Sequence, residues 1–365
     1  MENPSAEVDG KVQAVFDQLF GGKPDTQAIY FEDPDSDTAT ISDIYHGDVR
    51  TEGVGLGMMI TVQLDERDKF DKLWRYAKTV QRYASGTNAG YFQSHCDNAA
   101  GVPQPCVDPY GAEQFAMSLI FAHDRWGSDG AIDYEADALD VLDVMRRKEE
   151  LDGGVSADGV TNIFDAETHL PFDVPDVRAA FAGQTRPSIV MPAYYALWAQ
   201  ATGDPFWSDA AEAGRDFFNR AADPKTGFMP LRAYFDGNAV PGADTFTPEG
   251  YRVLLNLVLD QIWLRKSVTG VQICERVLQT FSDLRNKGKP YVGGYQLDGT
   301  LDSMTPEESL VPLNGATALI VKNGDRKDYI DAVWAMETPT KENRYYTGIV
   351  ELFALLVLSG KMQVY

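Results

Sequence analysis

Arg50-Thr51-Glu52-Gly53-Val54-Gly55-Leu56-Gly57-Met58-Met59 runs directly into Ile60-Thr61-Val62-Gln63-Leu64, and the reading of this stretch decides the fold. A carboxylate stands just before a run that is apolar on nearly every side. A surface helix would show a polar face, so the run predicts a helix buried all round, from about Val54. Gly53, Gly55 and Gly57 allow a close approach at the point where Glu52 projects. Taken alone, Glu52 reads as well as a capping carboxylate on a core helix as it does as a functional group. What favours function is that the pattern recurs five more times.

Upstream, Val12, Val15, Phe16, Leu19 and Phe20 follow one-face helical spacing, and a polar, Asp-rich stretch from Gly21 to Val49 reads as a loop, solvated over its segment 33 to 43. Downstream, residues 67 to 83 are amphipathic, with Phe70, Leu73, Trp74 and Ala77 on one face. Phe115 to Phe121 is apolar almost throughout, whereas Ala138, Val141, Leu142 and Met145 are one-sided. Ile189 to Ala201 is rich in large apolar residues, Val253 to Leu264 is apolar nearly all round, and Ala316 to Val321 and Val350 to Leu358 are predominantly apolar. Between them lie amphipathic segments at 206 to 222, 271 to 287 and 326 to 336. Strand signals are sparse. Six apolar segments thus alternate with six amphipathic ones, the first helix pairing with the last, at an irregular period of roughly 45 to 75 residues. The expected fold is all-α, a single-domain (α/α)6 barrel over residues 1 to 365, with two stacked bundles as the alternative.

The formal charge of -23 argues against nucleic acid and anionic membrane surfaces as partners, since both would be repelled. No stretch approaches the ~18 consecutive apolar residues of a membrane span. Met1 to Gly10 is polar and acidic, unlike a secretory signal, which leaves a secreted and a cytoplasmic location both open. Three cysteines are too few for a disulfide framework; Cys96 and Cys106 could pair or remain free, and Cys274 reads as core. The four histidines lack helical i, i+4 partners, so neither a metal site nor a cofactor is expected.

In such a barrel the inner helices run parallel and their N-terminal ends share one rim. The residues just before the apolar segments are Glu52; Asp108, Tyr110 and Glu113; Arg186; Glu249 and Arg252; Asn314; and Arg344, Tyr345 and Tyr346. Acids, arginines and aromatics together suit a sugar, with carboxylates for proton transfer and rings for stacking. An inverting glycosidase needs one carboxyl to protonate the leaving oxygen and another to activate water. Glu52 and Glu249, on inner helices one and four of six, are the expected pair. Some of the acids can equally be caps, because helix N-termini favour carboxylates.

Four blocks carry a family resemblance: RTEGVGLGMMITVQLDERDKFDKLWRYAK (50–78), DPYGAEQFAMSLIFAHDRWG (108–127), GYRVLLNLVLD (250–260) and RYYTGIVELFALLVLSGK (344–361). They resemble glycoside hydrolase family 8, from about residue 9 to the C-terminus. The resemblance implies an (α/α)6 barrel and inverting hydrolysis of β-1,4-linked glycans. The xylanases and reducing-end xylose-releasing oligoxylanases are the members most similar in length and spelling. It gives Glu52 the role of general acid, places Arg252 beside the base, and makes Tyr195, Tyr345 and Tyr346 cleft tyrosines.

Three positions depart from the family pattern. Where the second block usually reads P-D-G-E-E, Tyr110 replaces the sugar-contacting Asp, with Asp108 as a substitute binder. Glu249, in Glu249-Gly250-Tyr251-Arg252, replaces the base Asp of a D-A-W-R context. Gln93-Ser94-His95 stands where a tryptophan is expected after Tyr91. The alternative function is therefore a carbohydrate-binding protein with impaired catalysis. Trp74, Trp198, Trp263 and Trp126 read as structural. Glu307 and Glu308, in a polar loop at 296 to 313, read as solvated charges or as a substitute base.

Overall fold

A computed structural model describes residues 5–97, 107–154, 158–322 and 324–365. In chain order, Ser5–Gly21 (α1) is followed by the strands Tyr30–Asp33 (β1), Thr38–Asp43 (β2) and Asp48–Arg50 (β3). Next come Thr51–Leu64 (α2), Arg67–Tyr76 (α3), His95–Asp97 (β4), Pro109–Trp126 (α4) and Tyr134–Leu151 (α5). The two-residue strand Gln184–Thr185 (β5) leads to Pro192–Thr202 (α6) and Pro205–Ala221 (α7). Ala233–Tyr234 (β6) and Thr245–Phe246 (β7) precede Pro248–Tyr251 (α8), Val253–Leu259 (α9) and Val268–Asn286 (α10). Tyr295–Gln296 (β8), Leu310–Ala318 (α11), Arg326–Ala335 (α12) and Tyr346–Leu358 (α13) complete the chain.

The fold is all-α, with the helix alternation of an (α/α)6 barrel. The buried series is α2, α4, α6, α8–α9, α11 and α13; the half-exposed series is α1, α3, α5, α7, α10 and α12. On α2, every residue from Gly53 to Gln63 is buried, as is Thr347 to Val357 on α13. On α3 only Phe70, Leu73, Trp74 and Tyr76 are buried, a single stripe. Among the described residues, no helix is long and apolar enough to cross a membrane.

Contacts gather into two compact units. The first comprises Met1–Ile163, Val174–Arg178 and Glu337–Tyr365. Within it α2 packs on α4, α3 and α13, and α1 packs on α13. Close approach is built in at glycines: a Cβ on Gly53 would lie 2.5 Å from the Tyr345 hydroxyl, and one on Gly55 2.6 Å from Cβ of Gln114. Gly111 of α4 receives the Thr51 side chain in the same way. The second unit comprises Phe164–Asp173 and Ala179–Met336. Its core is aromatic: Phe164 meets Tyr195 at 5.2 Å and Trp207 at 5.0 Å, and Trp198 meets Trp207 edge-on at 4.9 Å.

Two expectations need correction. The stretch before α2 is not wholly a solvated loop, because β1 to β4 form an antiparallel sheet in sequential order. Thr38, Ala39, Ile41 and Asp43 of β2 are buried, and Ile41 packs against Gly57. The alternation Thr-Ala-Thr-Ile-Ser is a strand pattern hidden between acidic turns; Asp33, Asp35 and Asp37 are indeed exposed. The fifth buried helix starts at Leu310 rather than near Ala316. Pro312 lies in its first turn, where the missing N–H costs nothing, so the chain turns helical earlier than its longest apolar run suggests. A Cys96–Cys106 pairing lies outside the described residues. Cys274 is fully buried, and burial pushes its thiol well above the usual range, as befits a core cysteine.

Candidate active site

Glu52 sits in the first turn of α2, and its setting is built from three directions within the first unit. Arg50, extended at φ -94° and ψ 140°, brings the chain out of β3. Its Nε lies 3.1 Å from both Asp43 Oδ2 and Asp48 Oδ1. Burial works against the Arg50 charge, but the hydrogen bond to Asp48 and the nearby carboxylates outweigh it and hold its pKa above the ordinary value. Thr51 then donates its N–H to the Ser94 carbonyl at 3.1 Å and its hydroxyl to the Gln93 carbonyl. The segment lacking the expected tryptophan is thus the strap that fixes the start of α2. From the third side, the Tyr345 hydroxyl donates to Glu52 Oε1 at 3.4 Å, a long hydrogen bond.

Glu249 belongs to the second unit. It lies in the four-residue turn α8, introduced by Pro248, and 63% of its side chain is exposed. Arg186 Nη1 is 3.8 Å from Glu249 Oε2. The Arg186 Nε lies 2.6 Å from Oδ1 of the buried Asp173, whose Oδ2 accepts a hydrogen bond from Arg232 Nε at 2.5 Å. One buried carboxylate therefore joins two guanidiniums. Arg232 also stacks on Phe181, 3.9 Å from the ring centre. Arg252, three residues beyond Glu249, is buried at the start of α9. One turn further, Asn256 donates both of its amide hydrogens, to the Ser188 and Val190 carbonyls, each at 3.0 Å.

Each unit thus carries one candidate carboxylate: Glu52 at the head of a buried helix in the first, and Glu249 beside a charged mount in the second. The glycosyl hydrolases family 8 model matches residues 42–286. The chain belongs to this family. Its relatives span nearly its whole length. The reducing-end xylose-releasing exo-oligoxylanase Rex8A of Paenibacillus barcinonensis is 31% identical, covering 98% of this chain and 93% of the relative. A reducing end xylose-releasing exo-oligoxylanase of Halalkalibacterium halodurans is 32% identical over 99% of this chain and 91% of its own. The solved structure of Rex8A complexed with xylose superposes with a TM-score of 0.90 at 30% identity, covering 99% of this chain and 94% of that one.

Within this family 8 chain, the expected site residues each make contacts within the fold. Tyr195 is completely buried among aromatic side chains, and its hydroxyl donates to the Ile189 carbonyl at 3.2 Å. Arg344 is a clamp, not a rim cation: Nε, Nη1 and Nη2 donate to the carbonyls of Ala28, Lys341 and Pro24 at 2.8, 2.6 and 2.8 Å. Desolvation lowers its pKa, the signature of a buried guanidinium bound to neutral acceptors. Asn314 and Glu113 are wholly buried inside α11 and α4. Asp108 caps α4, its Oδ1 accepting the Tyr110 N–H at 3.1 Å, and Tyr110 itself is buried. Glu307 likewise receives the Ser309 N–H at 3.0 Å and the Ser309 hydroxyl at 2.5 Å. Tyr345 is buried apart from its approach to Glu52, whereas Tyr346 is partly exposed.

Asp173 and Arg232 went unseen in the sequence. They stand in segments without periodicity and meet through the pairing of β5 with β6, Gln184 opposite Tyr234 and Thr185 opposite Ala233. Pairing between segments so distant in the chain leaves no local signal.

Proposed function

We propose that this family 8 chain hydrolyses β-1,4-linked xylo-oligosaccharides with inversion, releasing xylose from the reducing end. Glu52 is the general acid that protonates the leaving oxygen. Glu249 is the general base that takes a proton from the attacking water, and Arg252 supports it. Tyr345 orients the acid through its hydroxyl. Tyr346, the partly exposed member of the tyrosine pair, and Asp108 are the remaining candidates for contact with sugar. The observation that carries the reading is the Glu52–Tyr345 pairing at the head of α2, in a chain whose near full-length relatives bear the name of xylose-releasing exo-oligoxylanases.

The test is product analysis on xylo-, cello- and chitosan oligosaccharides, with native protein beside Glu52→Gln. Release of single xylose units by the native protein alone, with the α-anomer formed at the new reducing end of the shortened oligosaccharide, is the expected result. Mixed internal products would move the reading from exo to endo action. Binding without turnover would favour a sugar-binding protein that has lost catalysis.

A further inference from the structure

A base that activates water must hold its carboxylate within a fraction of an ångström of the productive position, because a displacement near 1 Å can cost on the order of 100-fold in rate. Glu249 is poorly placed to hold itself. It is a long side chain on a four-residue helical turn, mostly exposed. Freezing such a side chain costs rotamer entropy, so an external anchor is needed.

Arg186 has the attributes of that anchor. Its side chain is 14% exposed, and its Nη1 reaches Glu249 Oε2 at 3.8 Å. Its own place is fixed at both ends. At the side chain, Asp173 holds Nε at 2.6 Å, and Asp173 is in turn 3% exposed and shared with Arg232. At the backbone, Asp173 N–H donates to the Gln184 carbonyl at 2.8 Å, and Asn256 grips the carbonyls of Ser188 and Val190 just after Arg186. The charges do not cancel within this mount. Two guanidiniums share one buried carboxylate, and the surplus positive charge is turned toward Glu249.

We infer that Arg186 is the positioning residue for Glu249, with Asp173 and Arg232 as its rigid mount. The inference rests on the proposed role of Glu249 as base. The longer glutamate at a position where the family usually carries aspartate is then matched by a fixed partner that holds it.

The test is a double-mutant cycle on whichever oligosaccharide of the panel is cleaved fastest. Arg186→Met is expected to lower kcat about 10- to 100-fold while KM changes less than about threefold. Arg186→Lys, which keeps the charge but loses the planar fork, recovers part of that loss. In a Glu249→Asp background, where the carboxylate is retracted by one methylene, Arg186→Met costs at most about threefold, because the contact is already gone. Equal losses in both backgrounds, or a rise in KM with kcat unchanged, would overturn the inference and make Arg186 a sugar-binding residue. If Arg186→Met melts at the assay temperature, Arg186→Lys and Asp173→Asn carry the same cycle. Full activity of Glu249→Gln would remove the base assignment itself, an outcome distinct from any result at Arg186.

Discussion

The Tyr345 hydroxyl stands 3.4 Å from Glu52 Oε1, and the same ring edge occupies the space in which a Gly53 side chain would lie. Gly53→Ala tests this packing. A new Cβ would lie 2.5 Å from Oη and 2.8 Å from Cε2 of Tyr345, so the ring must move. Helix propensity alone would favour alanine by up to about 1 kcal/mol. Overpacking costs about 1–3 kcal/mol and should win. The variant is expected to unfold at lower urea concentration and to lose kcat; an unchanged midpoint with full activity would show that Tyr345 moves freely.

Removing the acid is more severe than removing its orienting partner. Glu52→Gln keeps shape and hydrogen-bonding capacity but cannot supply the proton, and general acid catalysis contributes about 10²- to 10⁴-fold. A fall in kcat of that order, with oligosaccharide binding retained by calorimetry, is expected. Tyr345→Phe deletes one long hydrogen bond worth roughly 0.5–1.5 kcal/mol, hence only about a 2- to 10-fold loss. Reversal of this ranking would transfer the acid role away from Glu52.

Asn256 stabilises the segment that carries Arg186. Asn256→Leu keeps the volume but strips two buried carbonyls, Ser188 and Val190, of their donor. Unsatisfied buried groups cost about 1–3 kcal/mol each, so chemical denaturation should show a loss of about 2–6 kcal/mol. A loss under ~1 kcal/mol would mean that water or a shifted backbone replaces both bonds.

These residues mark where the sequence is legible. Alternating burial along the helices follows from local spacing, since a helix with no polar face has to be covered. The head of α2 is legible for the same reason: Glu52 and the glycines behind it are contiguous. Tyr195 shows the limit. A tyrosine near the start of an apolar helix looks the same in sequence whether its hydroxyl is free for a ligand or, as here, bonded to the Ile189 carbonyl. Arg344 is similar, three carbonyls from separate segments making it a clamp. Asp173 lies further beyond reach, because its meaning depends on two arginines brought together by long-range strand pairing.

Glu351, wholly buried on α13, gives the protein a pH dependence of its own. Desolvation raises its pKa above the ordinary carboxylate value, although Lys11 Nζ at 3.3 Å and the Thr338 hydroxyl at 3.2 Å both act to lower it. With the folded pKa above the unfolded one, the native state holds the proton more tightly. The contribution of Glu351 to stability is therefore fully present below the unfolded pKa and is lost as pH rises through the folded pKa. Glu351→Gln removes this dependence. Its amide oxygen can still accept from Thr338, and the partly exposed Lys11 keeps access to water. The melting temperature of the variant minus that of the native protein should accordingly increase between pH 4 and pH 7. A difference that stays flat, or that falls, would mean that the Lys11 ion pair outweighs the burial of the charge.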